Sequence, residues 1–323
     1  MRKFQTLIVI TIGMAAAALL LEAVVPRQWD IRTKDDFLKG KFDGLSVTFE
    51  GVLSLAPREE IVEGPAEDFY LSFLPGPDGA GFLGTGHGGK IYRVDKDGRA
   101  ELYFQVQEMD VTCLALDTTG VLFAGTSPNG KIYKITGKDQ GSSFFNPGTK
   151  YIWDLVFMDD GRLMAAVGEA GGIFKIGPGG EGQRVLKAEE NHILCLHKAG
   201  RNELLAGSGG VGVIYRLGAD GRATVLFESS YEEIKSLALD GEGDIYAACG
   251  GTPTRTKKEE ETPAAPFRIS TEVTVSASAQ ASTAARPPTA STPTTQEPGA
   301  LIRVRPDGIA KKLWESEDEL IYC

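Results

Sequence analysis

Four copies of one pentapeptide recur at an unbroken step of 41 residues: Gly89-Lys90-Ile91-Tyr92-Arg93, Gly130-Lys131-Ile132-Tyr133-Lys134, Gly171-Gly172-Ile173-Phe174-Lys175 and Gly212-Val213-Ile214-Tyr215-Arg216. A second series keeps the same step: Val111-Thr112-Cys113-Leu114, Ile152-Trp153-Asp154-Leu155, Ile193-Leu194-Cys195-Leu196 and Ile234-Lys235-Ser236-Leu237. Between them runs a third, Phe123-Ala124-Gly125-Thr126, Met164-Ala165-Ala166-Val167, Leu205-Ala206-Gly207-Ser208 and Tyr246-Ala247-Ala248-Cys249. A fixed period over this much chain means one supersecondary unit packed against copies of itself.

The unit is made of short alternating runs, and repeats of about 40 to 45 residues built that way are β-propeller blades. The copy beginning at Ile152 divides into four strands. Strand a is Ile152 to Phe157, with Ile152, Asp154 and Val156 expected on one face and Trp153, Leu155 and Phe157 on the other. Strand b follows from Leu163 to Val167, strand c from Gly172 to Ile176, and strand d near Val185-Leu186. Turn sequences such as Asp95-Lys96-Asp97-Gly98, Asp117-Thr118-Thr119-Gly120 and Asp240-Gly241-Glu242-Gly243 recur between the strands. Asp-x-x-Gly is the ordinary residue choice of a tight turn, so these aspartates are read as structural rather than as Ca²⁺ ligands. The aromatic at Tyr92, Tyr133, Phe174 and Tyr215 is expected to pack blade on blade. The basic residue after it, Arg93, Lys134, Lys175, Arg216 and later Arg303, is expected to snorkel or form an ion pair. The fold class is therefore all-β: a propeller of four-stranded blades, six or else seven, with about 41 residues each.

Residues 1–26 read as a signal peptide or N-terminal anchor, because Arg2 and Lys3 precede an apolar stretch from Leu7 to Leu21. The protein is accordingly expected to be exported, periplasmic or extracellular, with residues 7–25 as an inner-membrane anchor if they are not removed. Residues 27–43 form a linker and 44–323 the propeller. Gly44 to Pro57 and Glu59 to Glu63 resemble strands c and d of a blade whose strand a is Glu319 to Cys323, so the two ends are expected to complete one composite blade. On that reading the chain stops in mid-strand and looks truncated. The period breaks once, since Gly212 predicts a partner at 253 whereas Gly299-Ala300-Leu301-Ile302-Arg303 lies 46 residues later. The inserted residues 253–298, rich in Ser, Thr, Ala and Pro, cannot bury enough apolar surface to offset the entropy of ordering them. Only Ile269 to Ala279 alternates like a strand.

The chain has a net charge of −10 and no Lys/Arg cluster, which argues against nucleic acid as a partner and leaves the N-terminal segment as the sole membrane contact. Cys113, Cys195 and Cys323 occupy one repeat position in non-adjacent blades, too far apart for disulfides, and read as small buried apolar residues. No nucleophile elbow, zinc pair, phosphate loop or nucleotide fingerprint is present, so no catalytic, cofactor or metal residue is assigned. Three residues are singled out for the ligand face: His87 in a b-to-c loop, Asp154 on strand a, and His192 before a strand a. His197 ends that same strand.

The runs Ala115 to Lys134 and Leu237 to Cys249 resemble the Asp-x-x-Gly-x-Leu-Tyr-x-Gly-Thr-x-x-Gly-x-Ile-Tyr-Arg repeats of bacterial exported propellers, the WD40/YVTN-like group that includes the sensor propellers of two-component regulators. The regular Gly-His and Trp-Asp pair of true WD40 repeats is absent, as is the tryptophan docking motif of quinoprotein propellers. The resemblance implies a fold and leaves the activity open. The expected function is a binding or protein-interaction scaffold, with an unknown protein or small molecule as ligand and no cofactor. The alternatives are a hydrolase similar to propeller lactonases and the ectodomain of a sensor. Against the first stands the inner-strand set of Thr112, Cys113, Cys195 and Ser236 around Asp154, a poor cage for a hard cation.

Overall fold

The computed structural model describes residues 39–40, 44–47, 52–56, 64–218, 221–251, 298–317 and 319–321. The segment 1–26 that reads as a signal peptide or anchor, most of the insertion, the expected strand at 59–63 and Cys323 lie outside the described residues. Among the described residues no helix is long and apolar enough to cross a membrane. The chain divides into two units, Met1–Ile61 and Val62–Cys323.

In the first unit, the stretch 44–57 expected as a single strand c is instead a hairpin. Strands β1 (Leu45–Val47) and β2 (Leu53–Leu55) pair antiparallel, with Ser46 opposite Ser54. Each half carries its own Leu-Ser-apolar alternation, which suffices for two short strands and not for one long one.

In the second unit the described residues form five four-stranded antiparallel blades in chain order. Blade I is β3 (Tyr70–Pro75), β4 (Gly81–Thr85), β5 (Lys90–Val94) and β6 (Ala100–Gln105); blade II is β7 (Asp110–Leu116), β8 (Leu122–Ser127), β9 (Ile132–Gly137) and β10 (Gln140–Phe145). Blade III is β11 (Ile152–Phe157), β12 (Leu163–Val167), β13 (Gly172–Ile176) and β14 (Gly182–Lys187). Blade IV is β15 (His192–Gly200), β16 (Glu203–Gly209), β17 (Val213–Leu217) and β18 (Ala223–Glu228). Blade V is β19 (Glu233–Leu239), β20 (Ile245–Gly250), β21 (Gly299–Val304) and β22 (Ala310–Ser316). The insertion leaves blade V intact: β20 and β21 pair without a slip from Ile245 opposite Val304 to Gly250 opposite Gly299. Glu319 to Ile321, expected to begin a further strand a, joins no ladder.

Every strand a carries the same irregularity. The register shifts between Tyr70 and Ser72, Val111 and Cys113, Ile152 and Asp154, Ile193 and Cys195, and Ile234 and Ser236. Leu71, Thr112, Trp153, Leu194 and Lys235 are thus the extra residues of five equivalent β-bulges. The bulge overturns the simple alternation expected for strand a: Ile152 and Leu155, not Ile152 and Asp154, are the buried pair. The apolar residue opening strand a packs on the preceding blade, as where Val111 faces Gly84 and Ile152 faces Gly125. It is fully buried as Val111, Ile152, Ile193 and Ile234 but 45% exposed as Tyr70, which has no preceding blade among the described residues.

Blades are tied to the crossovers between them by a glycine. The amides of Gly89, Gly130 and Gly171, at the head of strand c, donate to the carbonyls of Met109, Lys150 and Asn191 in the crossover to the next blade. In return Val106, Ala188 and Ser229, leaving strand d, donate to the carbonyls of Gly89, Gly171 and Gly212. The approach is so close that a β-carbon would stand 2.2 Å from the Glu108 carbonyl oxygen at Gly89, 1.7 Å from that of Glu190 at Gly171 and 2.1 Å from that of Tyr231 at Gly212. Gly299 repeats the contact with Glu319 at 2.4 Å, so Glu319 lies where the period puts a crossover.

The same crossovers carry a glutamate series that the pentapeptide reading overlooked. Glu67 accepts from Tyr92 Oη at 2.5 Å and pairs with Lys90 Nζ at 2.7 Å; Glu108 pairs with Lys131 Nζ at 2.8 Å; Glu190 accepts from Tyr215 Oη at 2.6 Å. The aromatics of strand c are core residues, as expected, yet their hydroxyls are also stapled. Burial, with the hydrogen bond to Glu108 behind it, pushes the Tyr133 hydroxyl up to about 12. Blade III lacks the staple: its aromatic is Phe174, and at the glutamate position Thr149 buries a hydroxyl with no partner. The aspartate turns are structural, Asp117 Oδ1 accepting from the amides of Thr119 at 2.8 Å and Val121 at 2.9 Å. Of the basic residues after the aromatic, Arg216 pairs with Glu203 at 2.9 Å and Lys134 lies 5.9 Å over the Phe123 ring.

Two outcomes follow for unfolding in urea. Gly212→Ala combines a left-handed backbone with a clash against an immovable carbonyl and is expected to lose roughly 2–4 kcal/mol, whereas Gly120→Ala, left-handed with open space around it, should lose only about 1–2 kcal/mol. Equal losses would refute the crossover contact. The double change Thr149→Glu with Phe174→Tyr rebuilds the missing staple and is expected to exceed the sum of its single variants by about 1 kcal/mol.

Candidate functional site

The five inner strands surround a cavity of about 1250 Å³. Its wall is built from the bulge residues Leu71, Thr112, Trp153, Leu194 and Lys235 and from the residues after them, Ser72, Cys113, Asp154, Cys195 and Ser236. A strand without a bulge would bury every second one of these; the extra residue lets two neighbours reach the same space. Its mouth includes Glu189 to His192 from the crossover between blades III and IV, and Gly209 to Val211 from a b-to-c turn.

Much of the polar wall braces one inner strand against the next. Ser72 Oγ donates to the Val111 carbonyl at 3.0 Å, Thr112 Oγ1 to the carbonyls of Gly125 at 3.1 Å and Ile152, and Cys195 Sγ to that of Ile234 at 3.5 Å. Asp154 occupies the same repeat position but reverses the polarity. It accepts, with Oδ1 from the Leu155 amide and with Oδ2 from the Leu196 amide of blade IV, each at 2.7 Å. Burial raises its carboxyl to about 6, and the two amide bonds oppose that rise without cancelling it. The cysteines Cys113, Cys195 and Cys249 are free and buried, and desolvation holds the Cys249 thiol up at about 11. They behave as the small apolar residues expected.

Next to Asp154 the bulge presents Trp153. Its indole Nε1 donates to His192 Nδ1 at 3.0 Å, and its ring stacks on Tyr151 with centroids 4.9 Å apart and planes 8° from parallel. Gly168 makes room for this pair, since a β-carbon there would lie 2.5 Å from both bonded nitrogens. The hydrogen bond at Nδ1 leaves Nε2 as the protonated nitrogen of the neutral imidazole.

Of the three residues singled out in the sequence, the fold brings Asp154 and His192 to one cavity and leaves His87 outside its lining. His87 is exposed in a left-handed turn at φ 62°, its amide donating to Asp110 Oδ1 at 3.0 Å and its ring edge-on to Phe69 at 4.8 Å. A histidine in a glycine-rich loop serves the turn there. His197, expected to end its strand, lies inside β15, which continues to Gly200; it is half-buried, its basicity lowered by desolvation and partly restored by a hydrogen bond to the Leu237 backbone. The sequence reading missed Trp153, assigned to the opposite face from Asp154, and the charged residues Glu189, Glu190, Glu233 and Lys235. The signal for Trp153 was present: apolar residues at i and i+3, as in Ile152-x-x-Leu155, do not share a face of a regular strand, and repeating the misfit in every blade marks a bulge.

No protein-family model matches the chain, and no curated protein matches it. Solved structures do. A streptogramin B lyase aligns with a TM-score of 0.54 at 12% identity, covering 83% of this chain and 74% of that one. Virginiamycin B lyase from Staphylococcus aureus gives 0.53 at 13% identity over 83% and 75%, and its catalytically inactive variant with quinupristin gives 0.52 at 12% over the same shares. These likenesses establish the β-propeller fold.

The raised carboxyl of Asp154 has a definite sign in stability. A folded-state value near 6 against 3.8 unfolded means that the native chain holds its proton more tightly, so this group's contribution is present below about pH 4 and is lost as pH rises through about 6. Asp154→Asn is expected to gain on the parent protein by about 1–3 kcal/mol between pH 4 and pH 7.5. Urea titrations of both proteins at the two pH values check it, and a difference independent of pH would refute it.

Proposed function

We propose that this chain is a binding propeller that holds a small-molecule ligand in its central cavity without transforming it, and that it works outside the cytoplasm. The carrying observation is the cavity's division of labour. Ser72, Thr112, Cys113 and Cys195 of the wall are committed to bracing the inner strands, while Trp153 and His192, both in the lining, are fixed to each other. Preset aromatic surface with few free polar groups is what a ligand pocket needs. The N-terminal pattern of residues 1–26 supports export.

The alternative is a lyase or hydrolase, which the likeness in fold to streptogramin B lyases keeps in view. His192 would carry it as the acid or base. Its Nδ1 is taken by the Trp153 indole, and among the described residues no carboxylate is hydrogen-bonded to the ring to orient it in the manner of a catalytic dyad. Among the described residues, too, no three His, Cys, Asp or Glu side chains converge as metal ligands.

The test is a thermal-shift and calorimetric screen of small molecules against the full chain. At least one compound should bind, should be recovered unchanged by mass spectrometry after prolonged incubation, and should lose affinity about tenfold or more when Leu194→Trp fills the cavity. Turnover of the bound compound would establish the enzymatic reading. Binding indifferent to Leu194→Trp would remove the cavity from the function.

A further inference from the structure

Building on the reading of the cavity as a ligand site, we propose that its ligand is an organic cation with an apolar or aromatic body. Four carboxylates line the cavity, Asp154, Glu189, Glu190 and Glu233, against a single basic side chain, Lys235. That lysine is paired with Glu233, so it offers no unopposed positive charge to an anionic guest. Low-dielectric walls concentrate the field of such a site, and the chain's net charge of −10 adds to it at long range.

The geometry selects the kind of cation. A hard metal ion needs about six or more oxygen ligands converging within coordination distance. Here both oxygens of Asp154 already accept backbone amides, Glu190 is held by Tyr215 and Glu233 by Lys235. Their negative charge is therefore available as a field and not as a cage, which favours a large, weakly hydrated cation. The second element is Trp153, the best aromatic partner for such a charge, with its indole N–H already satisfied by His192 and its plane set by Tyr151. Leu71 of blade I and Leu194 of blade IV supply apolar lining from the equivalent bulges. Acidic mouth, fixed indole and leucine wall together describe a pocket for a hydrophobic ammonium or similar ion.

Tetraphenylphosphonium and tetraphenylborate are nearly matched in shape and opposite in charge, and triphenylphosphine oxide is a neutral relative with three of the four rings. In calorimetry on the full chain at pH 8 and low salt, the phosphonium should bind about tenfold or more tighter than the oxide, and the borate weakest. Trp153→Leu should weaken the phosphonium about tenfold, and Glu189→Gln with Glu233→Gln should narrow its lead over the oxide by about threefold or more. Glu101→Gln, which removes one carboxylate from the outer strand β6, should leave both unchanged. If the oxide or the borate binds best and remains sensitive to Leu194→Trp, the charge assignment fails while the cavity reading stands. If the phosphonium binds equally well to Trp153→Leu and Leu194→Trp proteins, it is responding to net charge alone and the proposal falls. If none of the three binds, both the cation inference and the cavity reading on which it rests lose their support.

Discussion

Everything in the propeller unit is placed by one repeated contact, a glycine at the head of strand c lying under the carbonyl of the crossover to the next blade. Only a residue without a β-carbon admits a carbonyl oxygen at the separations found at Gly89, Gly171 and Gly212. The closeness lets glycine amide and glycine carbonyl each bond a residue of the crossover or its approach, so a segment that would otherwise be a loose loop is held from both sides. Where the crossover sits fixes where the next strand a begins, and strand a forms the cavity wall. The Glu190 carbonyl that rests on Gly171 belongs to the segment that delivers His192 to the mouth.

The glutamate staple works on the same segment from the other side. Glu108 follows blade I and its carbonyl rests on Gly89 of that blade, yet its side chain turns to Lys131 of blade II. One residue therefore ties two blades, by backbone to the first and by charge to the second. A buried carboxylate is costly unless it is paired and hydrogen-bonded. Here the pairing recurs in blades I, II and IV with a partner one strand c away, so the cost is offset within each blade, though Glu108 Oε2 keeps no partner of its own. Such independence suits an architecture whose units contact only their neighbours.

This separation explains what was legible in the sequence. Turns, strand boundaries and the insertion point depend on glycine, aspartate and the apolar rhythm, all local features, and blade III was read strand by strand with β11, β12 and β13 at their observed limits. The hairpin at Leu45–Leu55 was misread because it lies outside the regular series. The face of Trp153 was misread because a bulge adds one residue to one strand of a ladder, and strict alternation carries no term for it. His87 and His192 looked alike in sequence, each beside a turn. The sequence puts one in a b-to-c loop and the other before a strand a; the fold separates them by leaving the first exposed and setting the second against Trp153.

Apart from its insertion, blade V departs from the repeat at the staple alone, where it has Tyr231 and Ile302, and blade III departs at more positions. At the inner-strand position where other blades carry Ser72, Cys113, Cys195 and Ser236, blade III carries Asp154; at the bulge where others carry leucine, threonine or lysine it carries Trp153; at the crossover where Glu67, Glu108 and Glu190 staple a tyrosine it has Thr149 beneath Phe174. A repeat constrained only by packing would tolerate changes that keep volume and apolarity, and an acid buried at the wall of a cavity keeps neither. Its carboxyl is raised by that burial, so in the scaffold alone its charge is a net cost. That cost has no structural return that serine or cysteine does not already deliver in the neighbouring blades. The economical explanation is a return made outside the chain, to a guest that meets Asp154, Trp153 and His192 together.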